Sequence, residues 1–150
     1  MKNAWVSRAR LPTPRDHLAA ETASGKVYAI GGRRNGDYRR NLAVVEAYDP
    51  AADRWACVAD LPTARSGITA SEVGGKIYVF GGESGQGTFR ENEAYDPGRD
   101  AWLALAPMPT GRHGLGSAVV RGRIHVLCGG PTPGGSFSDL HEVFIPPDSN

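Results

Sequence analysis

The sequence predicts an all-β fold made of one repeated, four-stranded unit, and three observations carry that prediction. Of its 150 residues, 20 are glycine and 11 are proline, and they interrupt nearly every window long enough for an amphipathic helix. Short apolar runs bounded by glycine turns are typical of strands. Trp5, Trp55 and Trp102 are separated by 50 and 47 residues. The chain is therefore expected to be an array with a period near 50 residues.

Other residues keep the register of this repeat. A proline, an arginine and a glycine follow each tryptophan at the same distances in all three units. These positions are Pro12, Pro62 and Pro109, then Arg15, Arg65 and Arg112, then Gly25, Gly75 and Gly122. Self-similarity at a fixed period is the mark of a repeat architecture.

The middle unit displays the predicted elements most clearly. Its strands are expected at residues 67–73, at 76–80, at 92–96 and around Trp102. The first is small and partly polar, and the second is apolar on both faces. A strand of the second kind is normally covered on both sides. Glycine and Asp-Pro turns separate the strands.

The repeat makes the chain one continuous array of units rather than a set of separate domains. Residues 1–10 hold an outer strand, residues 11–55 the first unit, residues 56–102 the second, and residues 103–150 a third unit without its outer strand. In the third unit, strands are expected at 114–120, 123–128 and 140–145. Cys128 takes the position of Gly81, which predicts a small buried residue at a tight place, and Gly130 is expected to be an extra loop residue.

A repeated four-stranded sheet with glycine pairs and a spaced tryptophan is the pattern of a β-propeller blade. The first unit carries it in Ile30-Gly31-Gly32, Tyr48-Asp49-Pro50, Trp55 and Leu61-Pro62-Thr63-Ala64-Arg65, and the other units carry its counterparts. On these residues the chain resembles the kelch-repeat family over nearly its whole length. The resemblance implies blades that pack face to face around a central channel.

Three blades leave two apolar blade faces without a neighbour. Closed propellers have about 4–8 blades, and large exposed apolar faces are rare in monomers. We expect two copies to form a head-to-tail, six-bladed homodimer, with residues 1–10 of each copy completing the last blade of the other. The alternative is that the chain is a fragment of a longer six-bladed protein, natural or engineered.

Composition excludes several classes of partner. The net charge of +1 gives no overall field that would favour nucleic acid or an anionic membrane. The two cysteines, Cys57 and Cys128, form neither a disulfide framework nor a metal motif, which favours a reducing, cytoplasmic setting. The N-terminal residues lack the apolar region of a secretory signal, and no apolar run is long enough to span a membrane.

The second-to-third loops are the variable parts of the repeat, and they are expected on the same face as the fourth-to-first connections. Recognition sites usually lie on such loops. The first loop is basic and holds Arg33, Arg34, Tyr38 and Arg39, and the second ends at Arg90. Arginine forks suit an acidic peptide, a sugar acid or a phosphate. The alternative is a solvated charged loop without a partner.

The repeated arginines have two interpretations. Arg15, Arg65 and Arg112 precede the first strand of each unit, and Glu46, Glu93 and Glu142 recur in the third strand. Buried charges need partners, so we favour a structural Arg–Glu network. The resemblance to kelch propellers, which often bind ligands at the channel mouth, implies the other interpretation, a ring of arginines facing a ligand.

Irregular residues at the same mouth are better site candidates than regular ones. Asp16, Ser66 and His113 share one repeat position, and His17 takes the next position, where the other units have glycine. Their spacing supports no metal site, and we expect no metal and no cofactor. His125 and His141 are expected to be packing or edge residues, and the three tryptophans to be blade packing.

No catalytic motif of the serine-hydrolase, phosphate-loop or zinc-protease kind is present. We therefore favour a non-enzymatic module that binds a peptide or a small anionic ligand on its loop face. Two alternatives stay open: an enzyme acting on a sugar or sugar acid, with Arg, Glu and His as acid–base groups, and a half-propeller scaffold without a ligand.

Overall fold

The computed structural model describes residues 3–147, and in this range the secondary structure is strands and turns without a helix. The strands are β1 (Ala19–Ala23), β2 (Lys26–Ile30), β3 (Val45–Asp49), β4 (Arg54–Cys57), β5 (Thr69–Val73), β6 (Lys76–Phe80), β7 (Glu83–Ser84), β8 (Gly87–Thr88), β9 (Asn92–Asp96), β10 (Ala101–Ala104), β11 (Gly116–Val120), β12 (Arg123–Leu127) and β13 (His141–Phe144).

Three antiparallel sheets form three successive blades. The first blade has the order β1-β2-β3-β4, the second β5-β6-β9-β10, and the third β11-β12-β13. Each strand pairs with the one before it in its blade, as the glycine and Asp-Pro turns predict. The all-β, blade-like architecture predicted from the repeat is therefore confirmed. The short hairpin of β7 and β8, inside the second variable loop, was not predicted.

The hydrophobic core lies between the blades. Tyr28 and Ile30 of β2 pack against Ile77 and Val79 of β6 in one cluster. The alternate residues of β6, Tyr78 and Phe80, pack against the third blade in a second cluster. Because successive side chains of a strand point to opposite faces, β6 contributes to both clusters. This explains why its sequence is apolar throughout.

The blades approach each other so closely that the glycine pairs have no room for side chains. A Cβ atom on Gly31 would lie 2.7 Å from the backbone oxygen of Arg65, and one on Gly81 would collide with the backbone oxygen of Arg112. Both glycines also have positive φ angles, 58° and 67°. The Gly-Gly pairs are therefore required by blade packing as well as by the turn.

Cys128, which takes the place of Gly81 in the third unit, keeps the left-handed conformation with φ 55°. The prediction that it is buried is wrong, because the residue is exposed. Gly81 lies against the third blade, whereas the corresponding side of the third blade has no neighbour among the described residues.

The face of the third blade that points away from the second blade stays uncovered for the same reason. On this face the exposed apolar residues are Val120, Leu127, Val143 and Ile145. Before the first blade, residues 3–10 form no strand, and Trp5 is 102% exposed rather than packed. The described chain offers this segment no strand to pair with. Residues 1–2 of the predicted outer strand, and residues 148–150 of the third unit, lie outside the described residues.

The strands and turns of residues 3–147 include no helix that could span a membrane.

Candidate loop-face site

At the loop face, backbone contacts join the segment that enters each blade to the residue that follows the glycine pair of the same blade. Single antiparallel bridges join Asp16 to Arg33, Ser66 to Glu83, and His113 to Gly130. The three pairs occupy equivalent places in the repeat. Fourth-to-first connections and second-to-third loops therefore meet at one end of the blades, as the strand order predicts.

A second set of backbone bonds runs from blade to blade around this end. The Gly67 N–H donates to the His17 carbonyl at 2.9 Å, and the Gly114 N–H donates to the Gly67 carbonyl at 2.8 Å. All three residues have positive φ angles, 53° at His17, 66° at Gly67 and 60° at Gly114. A histidine in a conformation that favours glycine is a local strain at the mouth.

The repeated arginines Arg15, Arg65 and Arg112 lie beneath the glycine pairs with their side chains fully enclosed. Each pairs with the glutamate of the same blade and also donates to backbone carbonyls. Arg65, for example, donates to the carbonyls of Thr63, Val79 and Gly81. The Arg–Glu network expected from the repeat is present. Its guanidinium groups are turned to the protein, so a ligand on the surface meets other residues.

A separate ionic chain links the loops of all three blades. Arg33 Nη1 donates to Glu83 Oε1 at 2.7 Å, although the two residues belong to different blades. Glu83 Oε2 accepts from the Gly134 N–H at 2.8 Å in the third loop. Arg33 and Glu83 are both buried. One carboxylate therefore fixes the bases of the first and third loops.

His113 of the third blade is the last member of this ionic chain. Its Nδ1 lies 3.1 Å from the Gly130 carbonyl oxygen, and its Nε2 lies 2.8 Å from that of Gly134 and 3.7 Å from Glu83 Oε2. A neutral imidazole can donate only one of the two bonds, because it carries one N–H. Gly130, expected to be an extra loop residue, stands at the repeat position of Glu83. A Cβ atom there would lie 2.6 Å from the His113 ring.

The charge of Glu83 is stabilised by its partners. Burial alone would raise the pKa of this carboxyl, but the bonds from Arg33 and from the Gly134 N–H outweigh burial and hold the pKa below its ordinary value of 4.5. Glu83 is therefore an ionised structural anion near neutral pH. This state does not suit it to act as a general acid.

Asp16 and His17 form the exposed part of the mouth. Asp16 accepts from the Gly36 N–H at 3.1 Å, and its other oxygen lies 2.7 Å from His17 Nδ1 and 3.4 Å from Arg33 Nε. The bond from Gly36, followed by that from His17, lowers the pKa of the Asp16 carboxyl. Asp16 thus ties the start of the first loop to the entry of the first blade.

The first loop keeps several positive charges open to solvent. Arg34, Arg39 and Arg40 are exposed, and no ion pair of these three is found among residues 3–147. The Arg33 and Arg39 guanidinium carbons lie 5.7 and 6.0 Å from the Tyr38 ring centre, within cation–π range. A polar cleft of about 570 Å³ runs beside Arg34 and Arg40.

Two further predicted site residues are used inside the fold. Arg90 Nε donates to the Met108 carbonyl at 2.7 Å, although the residue is exposed. Ser66 is buried and donates to Asn41 Oδ1 at 2.6 Å. The structure thus brings together Asp16, His17, Arg33, Ser66 and His113 at the mouth, and it places Arg34, Tyr38 and Arg39 on the first loop and Arg90 away from it.

Sequence reasoning missed Glu83 and Asn41. Asn41 Nδ2 donates to the Glu83 backbone oxygen at 2.7 Å, which attaches the end of the first loop to the second blade. One sequence feature pointed to Glu83: it follows its glycine pair at the repeat position of Arg33, with the opposite charge. Within the described chain no cluster of three metal-binding side chains occurs.

Comparison with known proteins identifies the repeat. Residues 3–146 match the family described as "KLHDC2/KLHL20/DRC7 Kelch-repeats domain". The chain belongs to the kelch-repeat family. The kelch resemblance predicted from the glycine pairs and tryptophans is thereby confirmed.

Individual relatives agree with the family. A 53-residue stretch is 47% identical to the "F-box/kelch-repeat protein At1g16250" of Arabidopsis thaliana, covering 35% of this chain and 14% of that protein. The solved "Structure of YjhT" superposes with a TM-score of 0.70 at 23% identity, over 83% of this chain and 37% of that chain. This kelch-repeat chain therefore spans a minor part of each relative, and the likeness to YjhT concerns the fold.

Proposed function

We propose that this kelch-repeat chain is a recognition module that binds an acidic peptide on its loop face, with the first loop as the principal contact. The observation that carries the proposal is the set of three exposed arginines, Arg34, Arg39 and Arg40, which have no ion pair among the described residues. Arginine forks bind carboxylates in two-point contacts.

The mouth itself is a weaker candidate for an anion. Arg33 is occupied by Glu83, and Asp16 adds a second negative charge beside it. The positive charge that is free to meet a ligand therefore lies outward, on residues 34–40. The buried Arg33–Glu83 pair supports recognition in a different way, because it holds the base of the loop in place and reduces the entropy lost on binding.

Binding can be measured with a fluorescent oligoglutamate peptide as the probe. We expect Arg34→Gln, Arg39→Gln and Arg40→Gln together to weaken binding by about 10-fold or more, since one lost charge-assisted contact is worth roughly that factor. The matched control changes Arg54, Arg99 and Arg121 to Gln, because these exposed arginines lie at the opposite end of the blades. Its affinity should stay within about 2-fold.

The salt dependence and a second probe separate the alternatives. Binding through exposed arginines should weaken as salt rises. Inorganic phosphate and glucuronate are the two small-anion probes. If either binds more tightly than the peptide, the ligand class is a small anion rather than an acidic peptide. Equal affinity of both triple variants for every probe would overturn the first loop as the site.

We also propose that two copies close a six-bladed ring. The third blade presents His125 and Leu127 at the repeat positions of Tyr78 and Phe80, which are covered by a neighbouring blade. The first blade presents Leu11 and Leu18, the counterparts of the buried Leu61 and Ile68, only partly covered. The two faces thus carry complementary halves of the interblade core. Light scattering should give twice the mass of one chain, and a monomer at about 100 µM would overturn the ring.

A further inference from the structure

Both packed tryptophans make the same contact with the preceding linker. Trp55 Nε1 donates to the Ala9 carbonyl at 3.0 Å, and Trp102 Nε1 donates to the Ala59 carbonyl at 2.9 Å. Each indole also lies 5.1 Å from the tyrosine beside it, Tyr48 or Tyr95. The outer strand of a blade is thus fastened to the chain segment that enters that blade.

The third blade has the corresponding place for an indole, but no tryptophan of the described chain fills it. We call this place the socket. Ala106 follows Ala59 at the repeat spacing of 47 residues. Phe144 takes the place of Tyr95 in the sheet, because it pairs with Ile124 as Tyr95 pairs with Ile77. The chain has three tryptophans, and neither packed one reaches this place. A cleft of about 330 Å³ lies here instead. It is lined by Phe80, Ala106, Pro107, Met108, Val143 and Phe144.

The acceptor of the expected bond has capacity left. The Ala106 carbonyl accepts from Asn92 Nδ2 at 3.1 Å, and a carbonyl oxygen has two lone pairs. The strand edge beside the cleft is also open: β3 pairs with β4 and β9 with β10, whereas β13 pairs with β12 alone among the described strands. Both a side-chain pocket and a strand edge are therefore available.

Trp5 has the properties expected of the tryptophan that the third blade lacks. Trp5 precedes Trp55 by 50 residues, so residues 4–7 correspond to β4. Trp5 is 102% exposed, an unfavourable state for the residue with the largest apolar side chain. It lies before the first blade, while the socket is on the third.

We infer that Trp5 of one copy docks in the cleft between Ala106 and Phe144 of a second copy. Residues 4–7 then add a fourth strand to β13, and the indole N–H donates to the Ala106 carbonyl. The ring packs on Phe144 and on Leu105, the counterpart of Val58, which packs against the same cluster as Trp102. This inference rests on the two-copy ring proposed above and names the contact that fastens each of its seams.

Trp5→Ala tests the docking directly. Buried interface tryptophans are frequent hot spots, so we expect the dimer dissociation constant from sedimentation equilibrium to rise at least about 30-fold. The control is Val119→Thr. Val119 is an exposed apolar residue on the face of β11 that carries Ser117, which bonds to the second blade rather than to the open side. This variant should associate like the wild type.

A peptide experiment keeps the inference testable without relying on the variant's own assembly. A synthetic peptide of residues 1–10, added to the Trp5→Ala chain, should bind with a blue shift of its tryptophan emission. Leu105→Asp in that chain should abolish the shift, whereas Val119→Thr should leave it. The chains' circular dichroism and melting temperatures establish that each is folded.

The outcomes separate the socket from the ring. A wild-type dimer that persists unchanged in Trp5→Ala, together with no peptide binding, overturns the socket and leaves the ring. A wild-type monomer at about 100 µM overturns both. A dimer lost in Trp5→Ala, with the peptide bound to the folded variant and released by Leu105→Asp, supports the socket.

Discussion

The Arg33 guanidinium and the Glu83 carboxylate meet at 2.7 Å across the boundary between the first and second blades. Both side chains are buried, and Glu83 is only 2% exposed. Removing one partner of a buried pair leaves the other charge uncompensated. We expect Glu83→Gln to lower the free energy of unfolding by about 3 kcal/mol, measured by urea denaturation.

The matched control for that change is Glu21→Gln. Glu21 lies on β1, and its carboxylate accepts from the N–H and the hydroxyl of the adjacent Thr22 at the surface. Its loss should cost no more than about 0.5 kcal/mol. Equal costs of the two substitutions would contradict the role given to Glu83.

Acid should weaken the same contact. The pKa of Glu83 is below 4.5 in the folded chain, so the carboxylate binds protons less readily there than when unfolded. Its contribution to stability is complete above about pH 4.5 and is lost as the pH falls through the folded pKa. The stability difference between wild type and Glu83→Gln should therefore shrink below pH 4.5 in urea melts. A difference that grows with acidification would refute this.

Arg65 depends on its planar fork rather than on charge alone. It donates to three backbone carbonyls as well as to Glu93, with no solvent contact. Arg65→Lys keeps the charge but cannot reach these acceptors together, so we expect a loss of about 2–4 kcal/mol. Arg99→Lys, at a position 84% exposed, should stay within about 0.5 kcal/mol. Thermal denaturation of both variants measures the contrast.

At Gly81, the neighbouring blade as well as the backbone conformation disfavours any side chain. Gly81→Ala places a Cβ atom on the Arg112 carbonyl, whereas Gly74→Ala meets nothing within 4 Å, and both glycines have similar positive φ angles. We expect Gly74→Ala to cost about 1–2 kcal/mol from backbone strain alone. Gly81→Ala should cost at least about 2 kcal/mol more. Similar melting temperatures for the two variants would mean that the blades can move apart.

The blades were predictable because their pattern depends on local and repeated chemistry. Lys76–Phe80 and Asn92–Asp96 were predicted with the bounds that the structure has, since glycine turns and Pro97 mark their ends. The packing of Trp55 and Trp102 followed from their spacing. Trp5 has the same spacing but lacks a strand to join, so its exposure required the structure.

The loop-face contacts were harder to predict because they join residues from different units. Arg33 was identified as a candidate for a ligand, yet its partner Glu83 is 50 residues away and has the opposite charge at the same repeat position. A periodic pattern emphasises what the units share. The exposure of Cys128 was missed for a related reason, because it depends on which side of a blade has a neighbour.

The bond from the Gly134 N–H to Glu83 has a consequence for engineering this chain. Glu83 begins the second loop, yet it holds the third loop by this bond and the first through Arg33. Replacing the second loop alone would take from Arg33 its buried carboxylate partner and would free the base of the third loop. A designer who transfers specificities onto this scaffold would have to exchange adjacent loops as sets, keeping the arginine and its glutamate together.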